Sequence, residues 1–166
     1  EFPDGREDGE TSGNGSVRAT VLSLPFLFVV LGWAGVYATL YVLVNHLVPF
    51  AAEQGIRWAG VTAISALGVA TSAARLGIGY VSDRTGRVRV FVACSVLMGL
   101  CLLALPIARG PVAILAIAIV FGVGYGGNGA LLSPLVADLF GLDDIGTLYG
   151  IASIAFALAG LSAPPL

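Results

Sequence analysis

Five long apolar windows, separated by short charged segments, make up the chain after residue 20. Each window carries at most one charged residue and can cross ~30 Å of hydrocarbon as a helix. Continuous apolar runs do not match the alternating strands of membrane barrels. Five such helices in a small soluble domain would leave no polar faces for water. The pattern therefore predicts an all-α, polytopic membrane helix bundle, with helices at about 21–50, 58–82, 89–108, 111–137 and 146–166.

The composition agrees with a chain surrounded largely by lipid. Hydrophobic residues make up 57% of the 166 residues and charged residues 11%, whereas roughly 25% of a soluble domain is charged. A disordered protein would have few large apolar residues. A nucleic-acid binder would carry a basic patch, whereas this chain has a net charge of −2. We therefore expect the lipid bilayer, and no nucleic acid, as a partner.

No arrangement of residues indicates catalysis, a metal or a cofactor. One His and two Cys, far apart in the sequence, do not suit a metal site. The run Gly122-x-Gly124-x-x-Gly127 has the spacing of a dinucleotide loop, but it lies inside an apolar window with no strand before it. We interpret its glycines as sites of close helix packing, and we expect no enzyme activity.

Residues 1–20 are acidic and rich in Gly and Ser. They cannot bury apolar surface, so we predict a disordered cytoplasmic loop segment. They also lack the positive region and short apolar run of a signal peptide. The chain starts without Met and stops after the pair Pro164-Pro165 in the fifth window, so we expect a piece of a longer protein.

The arginines between the windows predict the orientation in the cell membrane. If the N-terminal segment shares a compartment with the 83–89 and 138–144 loops, that side has five arginines and the other side two. Cytoplasmic loops carry the excess of basic residues. We therefore predict a multi-pass protein with a cytoplasmic N-terminus. The five are Arg6, Arg18, Arg84, Arg87 and Arg89, and the two are Arg57 and Arg109.

The turn GYVSDRTGRVR, between the second and third windows, carries the most specific motif. It resembles the signature loop of the major facilitator superfamily, a Gly-x-x-x-Asp-Arg-x-Gly-Arg pattern found once in each half of those transporters. An ordinary basic loop would need the arginines alone. The matching residues are Gly79, Asp83, Arg84, Gly86 and Arg87. We expect Gly79 to allow close helix approach and Gly86 to allow a turn that other residues disfavour.

Further segments resemble the monocarboxylate transporter and oxalate–formate antiporter group of this superfamily. They are residues 46–50, Arg75-Leu76-Gly77, residues 133–141 and residues 150–165. The resemblance implies that the five windows are helices 7 to 11 of a twelve-helix transporter, whose N-terminal half is a missing partner. It also implies alternating access for a small carboxylate substrate, coupled to protons or to a counter-anion.

Arg75 is the one charged residue deep inside a window, where a charge is costly. Its planar fork suits a carboxylate, through two parallel hydrogen bonds. The resemblance implies that an Arg at this place binds the substrate. Thr71 lies one turn earlier on the same face, where the group often has an acid or an amide. The alternative is that Arg75 pairs with a helix carbonyl or with an acid of the missing half.

Other polar residues of the windows are further candidates for substrate contact. Tyr41 and Asn45 continue one face of the first helix from Tyr37, and Asn128 lies near Tyr125 in the fourth window. The alternative for the tyrosines is packing and anchoring at the membrane interface.

The resemblance also implies an ion pair at the cytoplasmic surface. A signature-loop Arg would bridge to an acid on a neighbouring helix, so we predict Arg87 and Asp138 within about 4 Å of each other. Asp83 is expected to point to a helix of the missing half and to lack its main partner here. The alternative is that each group is simply hydrated.

Together these features predict a fragment of a secondary active transporter for a small organic anion, a mono- or dicarboxylate. The alternative belongs to a different class: a non-transporting membrane protein, or a structural partner derived from a transporter half. Five helices cannot form a two-half cavity by themselves, so this alternative stays open at the level of sequence.

Overall fold

The structure is a computed structural model that describes residues 17–142 and 144–162. The predictions for residues 1–16 and for Pro164-Pro165 fall outside the described residues. Residues 17–20 were expected in the disordered segment but belong to a helical stretch that runs to residue 21, and Val17 and Val21 pack against the buried core. These two valines provide apolar surface that the end of the segment can bury against the bundle.

The described residues form helices and turns and contain no strand. The helices are α1 (Leu24–Glu53), α2 (Arg57–Thr85), α3 (Arg87–Ala104), α4 (Gly110–Phe140), α5 (Ile145–Ala152) and α6 (Ile154–Ser162). A 3-10 turn, Leu105–Ile107, extends α3. Four helices among the described residues are long and apolar enough to cross a membrane: α1, α2, α3 with its 3-10 turn, and α4.

Local sequence signals set the helix ends. The Ser23 hydroxyl accepts a hydrogen bond from the Phe26 amide, and Pro25 lies in the first turn of α1, where its missing N–H is not needed. At the same end of the bundle, α2 stops at Gly86 with φ +95° and α4 stops at Gly141 with φ +85°. Positive φ favours glycine because glycine has no Cβ. The expectation that Gly86 makes a special turn is therefore confirmed.

The fifth window was predicted as one helix, but the described part holds two short ones, α5 and α6, of 8 and 9 residues. The break falls at Ser153, whose hydroxyl donates a hydrogen bond to the Tyr149 carbonyl at 2.8 Å. Such back-bonding bends helices. Each piece is about 12–14 Å long, so neither crosses the bilayer alone, and the fifth crossing stays a prediction.

Large apolar side chains cover the outer faces of the helices. Leu76 is 84% exposed, Leu103 77% and Val112 79%. Exposed apolar surface on this scale is a liability in water but matches lipid as the surrounding solvent.

α4 occupies the centre of the bundle because its glycines let two neighbours approach. A Cβ at Gly122 would lie 2.6 Å from the Leu67 carbonyl oxygen of α2, and one at Gly126 would collide with the Thr71 carbonyl oxygen. On another face, a Cβ at Gly124 would lie 3.0 Å from the Cys94 carbonyl oxygen of α3. The close packing expected of this glycine run is therefore confirmed.

A single glutamine joins two turns at the end of the bundle opposite Gly86. Gln54, which follows α1, donates from Nε2 to the Ala108 carbonyl at 3.1 Å and accepts from the Gly110 amide at 3.1 Å. The side chain therefore satisfies backbone groups of the α3–α4 turn, and it holds the end of α1 beside the start of α4.

We predict that Gly122→Ala loosens the contact between α2 and α4. The new Cβ would lie 2.6 Å from a backbone oxygen, and overpacking of this kind costs about 1–3 kcal/mol. The midpoint of thermal unfolding of the purified protein in detergent should fall. Gly77→Ala is the control, because a Cβ there meets nothing within 4 Å. An equal fall in both variants would contradict the packing argument.

Candidate functional site

Arg75 lies on α2, about 15 Å from the end of that helix at Thr85. Its side chain is exposed, and within residues 17–142 and 144–162 it has no hydrogen bond or ion pair. The guanidinium rests against Gly129 of α4, where a Cβ would lie 3.2 Å from Nη2 and 3.3 Å from Nε. An arginine without a partner in the middle of an apolar helix is a candidate ligand-binding group.

An aromatic cluster, defined as Tyr37, Tyr41, Tyr125 and Phe156, adjoins this arginine. Arg75 lies within electrostatic range of the phenol groups of Tyr37 and Tyr125. The Tyr37 ring centroid lies 4.7 Å from that of Phe156 and 6.5 Å from that of Tyr125. The Tyr41 ring lies 5.8 Å from the Phe156 ring. Helices α1, α2, α4 and α6 thus bring one guanidinium and several phenols to one region.

The other predicted substrate contacts lie elsewhere. Thr71 is buried, and its hydroxyl donates to the Gly122 carbonyl at 3.2 Å, between α2 and α4. Asn128 is also buried, and its amide donates to Ser95 Oγ at 3.1 Å on α3. Asn45 is exposed on α1, one turn beyond Tyr41. The structure therefore uses Thr71 and Asn128 to join helices, while Tyr41 belongs to the aromatic cluster.

Two residues of this region were missed by the sequence interpretation as candidates for the site. Gly129 follows Gly122 and Gly126 at helical spacing. This spacing is the signal that could have placed Gly129 on the face of α4 that meets α2. Phe156 gave no such signal, because it lies in a continuously apolar window that looks the same on every side. Its place beside Tyr37 depends on how α6 folds back onto α1.

A separate apolar groove of about 300 Å³ opens between α1 and α3. Its lining includes Gly35, Thr39, Phe91 and Ser95 but not Arg75. The groove therefore lies apart from the charged region and has no ionic group to bind an anion.

The signature turn is organised around Arg87, the first residue of α3. Its Nη1 donates to Asp138 Oδ1 at 2.6 Å and to the Pro134 carbonyl at 3.0 Å. Its Nη2 donates to Asp83 Oδ1 at 3.1 Å. One guanidinium therefore joins the end of α2, the start of α3 and the end of α4. The predicted pair of Arg87 and Asp138 is confirmed.

Asp83 pairs with Arg87, a contact that the sequence did not predict, while its expected contact with a helix of the missing half stays a prediction. Asp83 and Asp138 lie near the ends of α2 and α4, where the helix dipoles disfavour negative charge. Arg87 lies at the start of α3, where a positive charge is likewise disfavoured. Arg87 attracts both acids, so it offsets part of the negative charge at these two helix ends.

The remaining signature residues have different surroundings. The Arg84 guanidinium stacks over the Tyr80 ring, with Cζ 4.4 Å from the centroid, so it does not compete for Asp83. A Cβ at Gly79 would meet nothing within 4 Å. The close helix approach expected at Gly79 is therefore absent from the described part of the chain, since Gly79 faces open space there.

No group of three or more His, Cys, Asp or Glu side chains among the described residues is placed to hold a metal ion. The two cysteines are buried and free.

Comparison with known proteins identifies the family. The profile of the Major Facilitator Superfamily matches residues 2–164. The chain is also similar to the MFS transporter asaE of Aspergillus flavus (strain ATCC 200026), with 27% identity over 144 residues. That match covers 85% of this chain and 32% of the fungal protein, so the chain spans about a third of that relative's length.

The chain belongs to the Major Facilitator Superfamily. It is thus a multi-pass membrane protein of a transporter family, and this membership points to transport rather than to catalysis. The alternative of a non-transporting partner is not favoured by either comparison.

We predict that Arg87 and Asp138 are energetically coupled. In a double-mutant cycle on thermal unfolding, Arg87→Ala and Asp138→Ala should show a coupling of up to ~1 kcal/mol that decreases in high salt, as expected of an exposed pair. Arg84→Ala with Asp138→Ala is the control and should be additive, because Arg84 contacts Tyr80. Additivity in both cycles would show that the Arg87 contact contributes nothing.

Proposed function

We propose that this chain is part of the C-terminal half, helices 7 to 11, of a twelve-helix secondary transporter that moves a small organic anion, a mono- or dicarboxylate, by alternating access. The observation that carries the proposal is the Arg75 guanidinium, which is exposed about two-thirds of the way along an apolar helix and has no ion-pair partner among the described residues. Family membership supports transport in general, and the substrate class follows from the chemistry of this arginine.

A carboxylate is the ligand that fits this group best. A guanidinium offers parallel N–H donors that match the two carboxylate oxygens. The hydroxyls of Tyr37, Tyr41 and Tyr125 add donors in the same region. Attraction between the two charges is stronger in a membrane-enclosed site than in water. Thr71 cannot act as a proton-carrying acid, and its hydroxyl is already bonded to Gly122, so proton coupling through this pair is disfavoured.

Alternating access needs a rigid half that rocks about the site. Here the Arg87 contacts hold α2, α3 and α4 together at one end. At the other end, Gln54 holds the turn after α1 to the turn before α4. We propose that these helices move as one body against the missing half, which would cover the exposed face around Arg75. The end that contains Arg87 is proposed to be cytoplasmic, because the arginine excess lies there.

We expect replacement of Arg75 to weaken carboxylate uptake by the complete transporter in proteoliposomes. Arg75→Lys keeps the charge but loses the fork, so KM should rise about tenfold or more, the equivalent of one charge-assisted hydrogen bond. Arg75→Ala should abolish saturable uptake. The assay follows radiolabelled acetate, lactate, oxalate and succinate, and Arg57→Ala, an exposed arginine at the other end of α2, serves as the control. The assignment fails if Arg75→Ala leaves KM unchanged.

The proposed orientation predicts which turns react with an impermeant thiol reagent on intact cells. After Cys94 and Cys101 are replaced by Ala, Arg109→Cys should be labelled from outside, because it lies in the α3–α4 turn. Thr85→Cys should react only after the cells are permeabilised. Labelling in the opposite order would reverse the orientation.

A further inference from the structure

We infer that Gly129 is a positioning residue, which sets how far the Arg75 fork projects from α4 and therefore which carboxylates the site accepts. This inference rests on the proposed binding of a carboxylate by Arg75. Gly129 has no side-chain donor, acceptor or charge. It acts through the absence of a Cβ, which leaves room for the guanidinium.

Three atoms of the guanidinium lie against Gly129. A Cβ at this position would be 3.2 Å from Nη2, 3.3 Å from Nε and 3.5 Å from Cζ. The two nitrogens are nearer than the central carbon, so the Nε–Nη2 edge of the fork is the part turned toward α4. With glycine at position 129, the fork rests back against the helix. A larger residue would push this edge outward, toward the space that a substrate occupies.

The contact at Gly129 differs in kind from those at Gly122 and Gly126. At those two glycines an added Cβ would meet backbone atoms of α2, which cannot move without the helix. At Gly129 it would meet the far end of an exposed, flexible side chain. Alanine at position 129 should therefore shift the fork by a few tenths of an ångström and leave the helix packing intact. Because the substitution moves the guanidinium but not the helices, the position of Arg75 can be tested without unfolding the protein.

A guanidinium that projects further leaves less room for the substrate. Long carboxylates should therefore lose more affinity than short ones. In the complete transporter, we expect Gly129→Ala to raise the KM for succinate about tenfold, a change of ~1.4 kcal/mol, and the KM for acetate less than about threefold. The maximal rate and the thermal midpoint should stay those of the wild type. Gly68→Ala on α2 is the matched control, since a Cβ there meets nothing within 4 Å.

A double substitution tests whether the effect passes through Arg75. In the Arg75→Lys background, Gly129→Ala should cause no further rise in KM, because the guanidinium that it displaces is gone. An unchanged KM in Gly129→Ala, or an equal rise in both backgrounds, would overturn the inference. A lowered thermal midpoint would also count against it, since that result would indicate a packing role.

Chemical modification separates this inference from the proposed function. Phenylglyoxal modifies accessible arginines, and mass spectrometry of the Arg75 peptide gives the rate at that residue. Gly129→Ala should speed the reaction at Arg75 about threefold and leave the rate at Arg57 unchanged. If Arg75→Ala transports normally, the proposed function is wrong. The rate of phenylglyoxal modification at Arg75 still decides whether Gly129 positions the guanidinium. An equal rate at Arg75 in both proteins would overturn the inference.

Discussion

The close approach of α4 to α2 and α3 is the constraint on which the rest of this bundle depends. Between apolar helices in lipid, burial of apolar surface provides little driving force, so association relies on close packing and on hydrogen bonds. Glycine at positions 122, 124 and 126 removes the side chains that would keep the backbones apart. The Thr71 and Asn128 hydrogen bonds then form across these contacts. The same approach brings Arg75 of α2 against Gly129 of α4.

Polar groups at the two ends of the bundle complete this packing. Arg87 links three helix ends through two carboxylates and one carbonyl, and Gln54 links two turns at the opposite end through backbone groups. The ionic contact is partly exposed, with 27% of the Arg87 side chain accessible, so its contribution is modest and depends on salt. A contact of this strength can bias an equilibrium between two conformations without dominating it.

Arg75 is the one charged residue deep inside a helix of the described part of the chain, and it forms no ion pair there. The Thr71 hydroxyl and the Asn128 amide nitrogen, both buried, donate hydrogen bonds within the protein, whereas Asn128 Oδ1 has no hydrogen-bond partner among the described residues. Arg75 has the higher solvation cost and yet rests beside a glycine and two phenols without an ion pair in the described part of the chain. A charge of this kind is costly unless a ligand or a partner supplies the missing interaction, and this cost is the reason for proposing an anionic substrate.

The sequence alone determined the helical membrane architecture, because chain length and hydropathy decide which segments cross lipid. It also located the Gly86 turn, the Arg87–Asp138 pair and Arg75 as the one charge deep in a helix. The tertiary structure decided which face of each helix meets a neighbour. Spacing along a helix shows which residues share a face, but not what covers that face. For this reason the structure placed Thr71 and Asn128 between helices, joined Asp83 to Arg87, divided the fifth window at Ser153, and set Gly129 and Phe156 beside the candidate site.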